Sequence, residues 1–375
     1  MKPTIAELVR TRRVIVCGGS GGVGKTTTAT AIAIAAAQEG RKVLALTVDP
    51  SKRLAQTLGV DRNVSAPVSV SPDRLALAGI SPPGLLEAWM LDPQVVADSV
   101  VEKLAHNPEE AAKLKGNRIY RQLSKLVAGM QEYMAMEALY RFIDEGRYDL
   151  IVLDTPPSRN ALDFLLGPGR MAAFLEGRVF QLFLPGEKQG FFRAAASSLI
   201  TKINGAIFGE ETYAEMQDFF GSFSGILMNI NRNASAMLTK MQDPEQVAFL
   251  LVSSPAAEAL TEAFFFRRKT MEMNLPFRGF ILNRSEAFDD GRVMPTAALF
   301  GTDTLDPVRA TALAKLVGLA RLEHAQVERD RALLQQLRGE VGEQAFAVAL
   351  PTLASGAHEM TALMQIADAL MTSPV

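Results

Sequence analysis

The chain has one cysteine, Cys17, among 375 residues. A disulfide within the chain is excluded, and so is a multi-cysteine zinc site. Three histidines, His106, His324 and His358, stand far apart in sequence. They read as surface or capping residues rather than ligands. No uninterrupted apolar run reaches the length of a spanning helix. The first residues lack the apolar stretch of a secretory signal. Charge of one sign is missing too: the formal net charge is -2, with both signs spread along the chain. A basic field of the kind that grips nucleic acid is therefore absent. The short basic clusters at Arg10, Arg12 and Arg13 and at 267–269 read as solvated faces. A reducing cytoplasm is the expected setting, with transient membrane association left open.

What is present is a glycine-rich run, Gly18-Gly19-Ser20-Gly21-Gly22-Val23-Gly24-Lys25-Thr26-Thr27. A short apolar run, 14–17, precedes it and an alanine-rich helical pattern follows. With Gly19 and Gly24 as its two glycines, it matches the phosphate-loop pattern G-x-x-x-x-G-K-[ST] in the strand–turn–helix context that pattern needs. Glycines allow left-handed backbone angles and a close approach to oxygen atoms. Successive N–H groups then form an anion nest, to which the helix adds its positive end. Gly21, Gly22, Val23, Gly24, Lys25, Thr26 and Thr27 are the expected binders of ATP or ADP. Lys25 is expected to reach the β- and γ-phosphates, and the Thr26 hydroxyl to hold Mg²⁺. No second loop of this kind occurs, so one nucleotide per chain is expected.

Two aspartates close apolar runs and belong near such a site. Asp49 ends the run 43–48, and Asp154 ends the run 150–153. Open α/β sheets place their ligands at the carboxyl ends of strands. Asp154 is assigned to the metal's surroundings, leaving Asp49 to sit nearer the γ-phosphate.

The remainder reads as an α/β fold, a doubly wound and mostly parallel sheet with an inserted helical subdomain. Strands are expected at 13–17, 43–49, 149–154, 247–253, 279–283 and 346–350. Helices are expected at 25–39, 51–58, 256–273, 321–338 and 359–371, while 306–319 gives a weaker pattern. The interval 83–147 carries long helical patterns and reads as an insertion. The interval 159–242 mixes phenylalanine and methionine with interrupting glycines. Either a helical core or an adaptable apolar surface fits that composition. The nucleotide-binding domain is accordingly 1–82, 148–158 and 243–375, and the helical subdomain 83–147 and 159–242.

In order and spacing, the loop 20–27, Asp49-Pro50-Ser51-Lys52-Arg53, Asp154-Thr155-Pro156-Pro157 and Ile281-Leu282-Asn283-Arg284 resemble the arsenite-pump and tail-anchored-protein-targeting ATPases. That branch of the phosphate-loop class also holds nitrogenase iron proteins and the Min and Par ATPases. The resemblance spans most of the chain. It implies a dimer, homo- or heterodimeric, that opens and closes with ATP hydrolysis. Asp49 would orient the attacking water within switch I, 49–56, and switch II would span 154–160. Asn283 would hydrogen-bond the adenine, and the loop from Pro351 would close over it. In targeting members the helical subdomain carries a groove for a hydrophobic protein client. Three departures stand out. Ser20 replaces the family's signature lysine, leaving Arg12, Arg13, Arg53 or Arg159 as substitutes. Arg159 and Asn160 replace a glycine and a histidine. The paired cysteines of the family's zinc clamp and arsenite site are absent, so neither zinc nor arsenite transport is expected.

Overall fold

Along each central strand, successive apolar side chains point to opposite faces, as the two-residue period of a strand requires. Val14 and Val16 join one hydrophobic cluster, and Ile15 and Cys17 the other. The same alternation holds at Leu44 against Ala45 and at Leu153 against Val152. A sheet buried on both faces needs helices on both faces. In the computed structural model, the described residues are 2–48, 58–60, 66–81, 85–105, 107–117, 130–156, 236–288, 294–300, 306–353 and 360–373.

They form one sheet from β1 (Val14–Gly18), β2 (Val43–Thr47), β3 (Val68–Ser69), β4 (Leu86–Met90), β5 (Leu150–Asp154), β6 (Val247–Ser253), β7 (Phe277–Ser285) and β8 (Phe346–Pro351). The order is β3-β4-β2-β5-β1-β6-β7-β8. Neighbours are parallel except β3, which runs against β4. The chain leaves β1 outward to β2 and returns to lay β5 between them. It then continues on the other side with β6. The strand order thus reverses around β1, where a doubly wound sheet opens a crevice at its carboxyl edge.

One face is covered by α1 (Ile5–Thr11), α2 (Lys25–Gln38), α3 (Pro72–Leu77) and the last helix, α9 (Met360–Thr372). Against the other lie α4 (Pro93–Leu104), α5 (Pro108–Gly116), α6 (Met130–Glu145), α7 (Ala257–Glu272) and one end of α8 (Pro307–Glu340). α2 is apolar nearly all round, and eleven of its fourteen residues are buried. Such a helix belongs inside a fold, so the loop that feeds it is anchored on both sides.

The interval 83–147, read as a helical insertion, carries α4, α5 and α6 between two strands, but not all of it is helical. That interval opens with β4, which pairs with β2 from Val43↔Leu86 to Thr47↔Met90. Leu85 to Met90 are mostly good helix formers, but burial on both faces fixes them as strand. The helices that follow share one cluster with the sheet: Val101, Leu114 and Phe142 pack with Leu46 and Trp89. Trp89 meets Phe142 edge to face at 5.6 Å. α8 is also longer than expected, running unbroken through the weaker stretch at 306–319. Of the expected helix at 51–58 only residue 58 is described, and 159–235 lie outside the described residues.

Candidate functional site

The loop between β1 and α2 is shaped by glycines at forced positions. Gly24 caps α2 with φ 93°, and Gly22 sits at φ 79°. A Cβ on Gly19 would come within 2.1 Å of the Val252 carbonyl oxygen. Only glycine fits there, because the loop presses against the end of β6. Gly21 and Gly22 are exposed at the tip, while Val23 is buried against the sheet.

Lys25 begins α2 and is 5% exposed. Its ammonium donates to the Ser20 carbonyl at 2.8 Å, spanning the loop from base to tip. Ser20 Oγ is buried with no hydrogen-bond partner among the described residues. A buried cation at a helix amino end, behind a glycine-rich turn, is an arrangement that suits an anion.

Thr26 and Asp154 are joined directly. Thr26 Oγ1 donates to Asp154 Oδ2 at 2.7 Å, and Thr47 Oγ1 donates to the same oxygen at 3.0 Å. Thr26 comes from α2, Thr47 from β2 and Asp154 from β5. A second lock aligns β5 with β1: Thr155 Oγ1 and the Thr155 N–H both donate to the Cys17 carbonyl, at 2.9 and 3.2 Å. The paired hydroxyl and carboxylate form an all-oxygen donor set. That suits Mg²⁺, which keeps several waters and takes few protein ligands. No cluster of three or more potential metal-binding side chains occurs among the described residues. Burial pushes the Cys17 thiol well above its ordinary range. The Asp154 charge pushes the same way, and Lys25 opposes it. Cys17 therefore stays protonated and apolar beneath the loop.

Asn283, at the end of β7, is buried, and its Nδ2 donates to the Val23 carbonyl at 2.8 Å. Pro351 ends β8 one strand over, where Ser285 pairs with it. Both residues thus border the same carboxyl edge as the loop. Asp49 lies outside the described residues. Its neighbour Val48 donates its N–H to the Asp154 carbonyl at 3.2 Å.

Of the residues offered in place of the signature lysine, Arg12 and Arg13 sit at the opposite edge of the sheet. Arg12 donates to Thr11 Oγ1 and the Glu245 carbonyl, and Arg13 to the Ile143 carbonyl. Both precede β1, whereas the loop follows it, so neither reaches this chain's own loop. Arg53, Arg159 and Asn160 lie outside the described residues. A depression of about 350 Å³ flanks the outer side of the loop. Glu258 and Glu262 of α7 line it, and their charge disfavours a polyphosphate there.

Sequence reasoning passed over Thr47 and Asp330, and it named Thr155 within a motif without giving it a role of its own. Thr47 and Thr155 are hydroxyls at the ends of apolar strands, a visible but weak signal. Asp330 on α8 is buried, accepting from the Glu286 N–H at 2.7 Å and from Ser285 Oγ at 3.2 Å. It fixes the exit from β7 just beyond Asn283, where Arg284 takes φ 57°.

Residues 12–292 match the family model described as anion-transporting ATPase. The chain is 24% identical over 296 residues to ATPase ASNA1 homolog 2 of Paramecium tetraurelia, covering 77% of this chain and 82% of that protein. It is 25% identical over 297 residues to ATPase ASNA1 homolog 1 of the same organism, covering 77% and 80%. A shorter match, 29% over 170 residues, relates it to ATPase get3 of Aspergillus terreus, covering 45% and 47%.

Proposed function

The chain belongs to the anion-transporting ATPase family and is an ATPase, and we propose that it works as a nucleotide-driven conformational switch. The observation that carries this reading is the joint at Asp154, where side chains from α2, β2 and β5 converge on one carboxylate oxygen. Anything that draws Thr26 toward a metal loosens its hold on Asp154 and, through it, on Thr47. Nucleotide state is then felt at the ends of two strands.

In this reading, ATP sits with its phosphates on the amides of Gly21, Gly22, Val23, Gly24, Lys25, Thr26 and Thr27. Lys25 exchanges the Ser20 carbonyl for phosphate oxygen and stabilises charge on the transferred group. Thr26 and Asp154 would hold Mg²⁺, which neutralises phosphate charge when bound. Asp49 orients the attacking water, and ADP and phosphate leave. Asn283 and the loop from Pro351 receive the adenine. Two chains act together as a dimer, and 159–242 takes up the motion. A hydrophobic protein client for that interval is the natural extension of the reading.

Ser20 favours a second reading, in which the chain hydrolyses ATP weakly alone and pairs with a related ATPase that supplies a cation. Phosphate release by the purified protein, with Lys25→Ala as control, tests the first reading. Steady Mg²⁺-dependent turnover lost in Lys25→Ala supports it. Turnover that survives Lys25→Ala places the activity elsewhere and overturns it.

A further inference from the structure

A cleft of about 620 Å³ opens at the amino edge of the sheet, at the other end of the strands from the phosphate loop. Arg12 reaches it from the end of α1, Arg267 from α7 and Arg278 from the start of β7. Arg12 and Arg267 come from the two short basic clusters whose sequence reads as solvated faces, yet all three arginines are half-buried. Leu275, Pro276 and Val341 give the cleft an apolar wall. Its volume suits a small molecule. The run of β7 from Arg278 to Asn283 sets it about 17 Å from the nucleotide edge.

The three guanidiniums are short of partners. Arg12 uses Nη1 alone, donating to Thr11 Oγ1 at 3.2 Å and to the Glu245 carbonyl at 3.3 Å. Its Nε is buried with no acceptor among the described residues, and the same is true of Arg267 Nε. Arg267 Nη2 donates to the Glu340 carbonyl at 2.8 Å, and Glu340 Oε2 lies 3.7 Å from its Nη1. Arg278 Nη2 donates to the Pro244 carbonyl at 3.2 Å. Among the described residues, neither Arg12 nor Arg278 forms an ion pair. Carbonyl dipoles accept their donors without supplying a full negative charge. Burial holds the Arg278 guanidinium below its ordinary range, and the Arg12 charge pushes the same way, while Glu245 and Glu7 oppose. Glu7, Glu245 and Glu343 line the cleft too, but all three are exposed, where water screens them. Half-buried cations side by side without a counter-ion are costly.

We propose that this cleft binds an oxyanion of the phosphate type on Arg12, Arg267 and Arg278, as a second anion site separate from the phosphate loop. A phosphate group carries up to about two charges and three acceptor oxygens, enough for guanidiniums arriving from three elements. A single carboxylate has one charge and two oxygens. Guanidinium forks match phosphate oxygens and bind them bidentately. The anion would give the buried Nε groups the acceptors they lack and offset the repulsion between Arg12 and Arg278. Nothing in this depends on ATP hydrolysis or on a second chain.

Inorganic phosphate is the probe, titrated calorimetrically into the full chain at constant ionic strength, with Lys25→Ala as the background that disables the phosphate loop. Saturable binding is expected to persist in Lys25→Ala. Arg12→Gln and Arg278→Gln, each added to that background, weaken it about tenfold or more. Glu245→Gln removes an exposed charge of the opposite sign to the arginines and tightens binding a few-fold. Melting curves check that each variant folds, and where an arginine variant does not, Glu245→Gln decides. Glycerol 1-phosphate separates the sources: tighter binding than phosphate assigns the site to an ester, weaker binding to the free ion. No saturable phosphate binding in Lys25→Ala overturns the proposal. So does an affinity that Arg12→Gln, Arg278→Gln and Glu245→Gln all leave unchanged.

Discussion

Asn283 Nδ2 donates to the Val23 carbonyl at 2.8 Å, so the end of β7 holds the phosphate loop directly. A Cβ on Gly24 would fall 2.1 Å from that same nitrogen. The loop and β7 are therefore a single mechanical unit, and any residue larger than glycine at position 24 breaks it.

Gly24→Ala is expected to abolish nucleotide binding, because both the contact with Asn283 and φ 93° oppose a side chain there. Gly24→Ala with Asn283→Ala removes the contact but not the backbone strain, so it recovers binding only in part. Titration with a fluorescent ATP analogue reads both. Full affinity in Gly24→Ala would contradict this loop geometry.

Asp154→Asn is expected to keep the fold while lowering phosphate release on the order of a hundredfold, a loss typical of one catalytic electrostatic contact. It should also raise the Mg²⁺ concentration needed for half-maximal rate. Thr47→Val removes one of the donors to Asp154. It is expected to cost about 1 kcal/mol of stability and only a few-fold in rate, with Thr47→Ser restoring both. Equal losses in Asp154→Asn and Thr47→Val would show that the carboxylate matters only as an acceptor for Thr47.

The Cys17 thiol is raised by burial first and by Asp154 second. In the unfolded chain it ionises near about 8.5, while in the folded chain it stays protonated. The folded state therefore binds more protons above that pH. Its stability from this group is complete below about 8.5 and falls as pH rises beyond it, by up to about 1.4 kcal/mol per unit. Urea midpoints at pH 7 and pH 10 for wild type and Cys17→Ala check this. The drop on raising the pH should be smaller in Cys17→Ala. Identical slopes would mean the thiol ionises freely in the fold.

Asp330→Ala strips the acceptor from the Glu286 N–H and Ser285 Oγ, at a cost of about 1–3 kcal/mol. Because that turn follows Asn283, KM for ATP is expected to rise while kcat holds. A fall in kcat at unchanged KM would place Asp330 in a different role.

The phosphate loop and the central strands were legible in the sequence because each strand is a short, nearly pure apolar run bounded by glycine, aspartate or proline. Both ends of the Thr26–Asp154 joint were legible for the same reason. β4 was not: Leu86, Glu87, Ala88 and Met90 favour helix locally, and only tertiary burial overrides them. Glu87 is tolerated inside because Arg147 and Tyr148 donate to it. α1 left a signal that went unread. Thr4 accepts from the Glu7 N–H, and Thr-x-x-Glu is the start of a capping box. The first half of α8 gave a weak pattern because its apolar residues face outward and Gly318 interrupts it. No buried stripe existed there to be read. Thr47 acts through a partner 107 residues away, a distance at which local pattern carries no information.

The central claim is that this loop seats a magnesium-bound nucleoside triphosphate through Lys25 and its amides. Calorimetric titration of the full chain with a non-hydrolysable ATP analogue, with and without Mg²⁺, addresses it most directly. The account predicts one site per chain, strengthened by Mg²⁺ and lost in Lys25→Ala. Heat of binding unchanged in Lys25→Ala, or no binding by the wild-type chain in Mg²⁺, would contradict it.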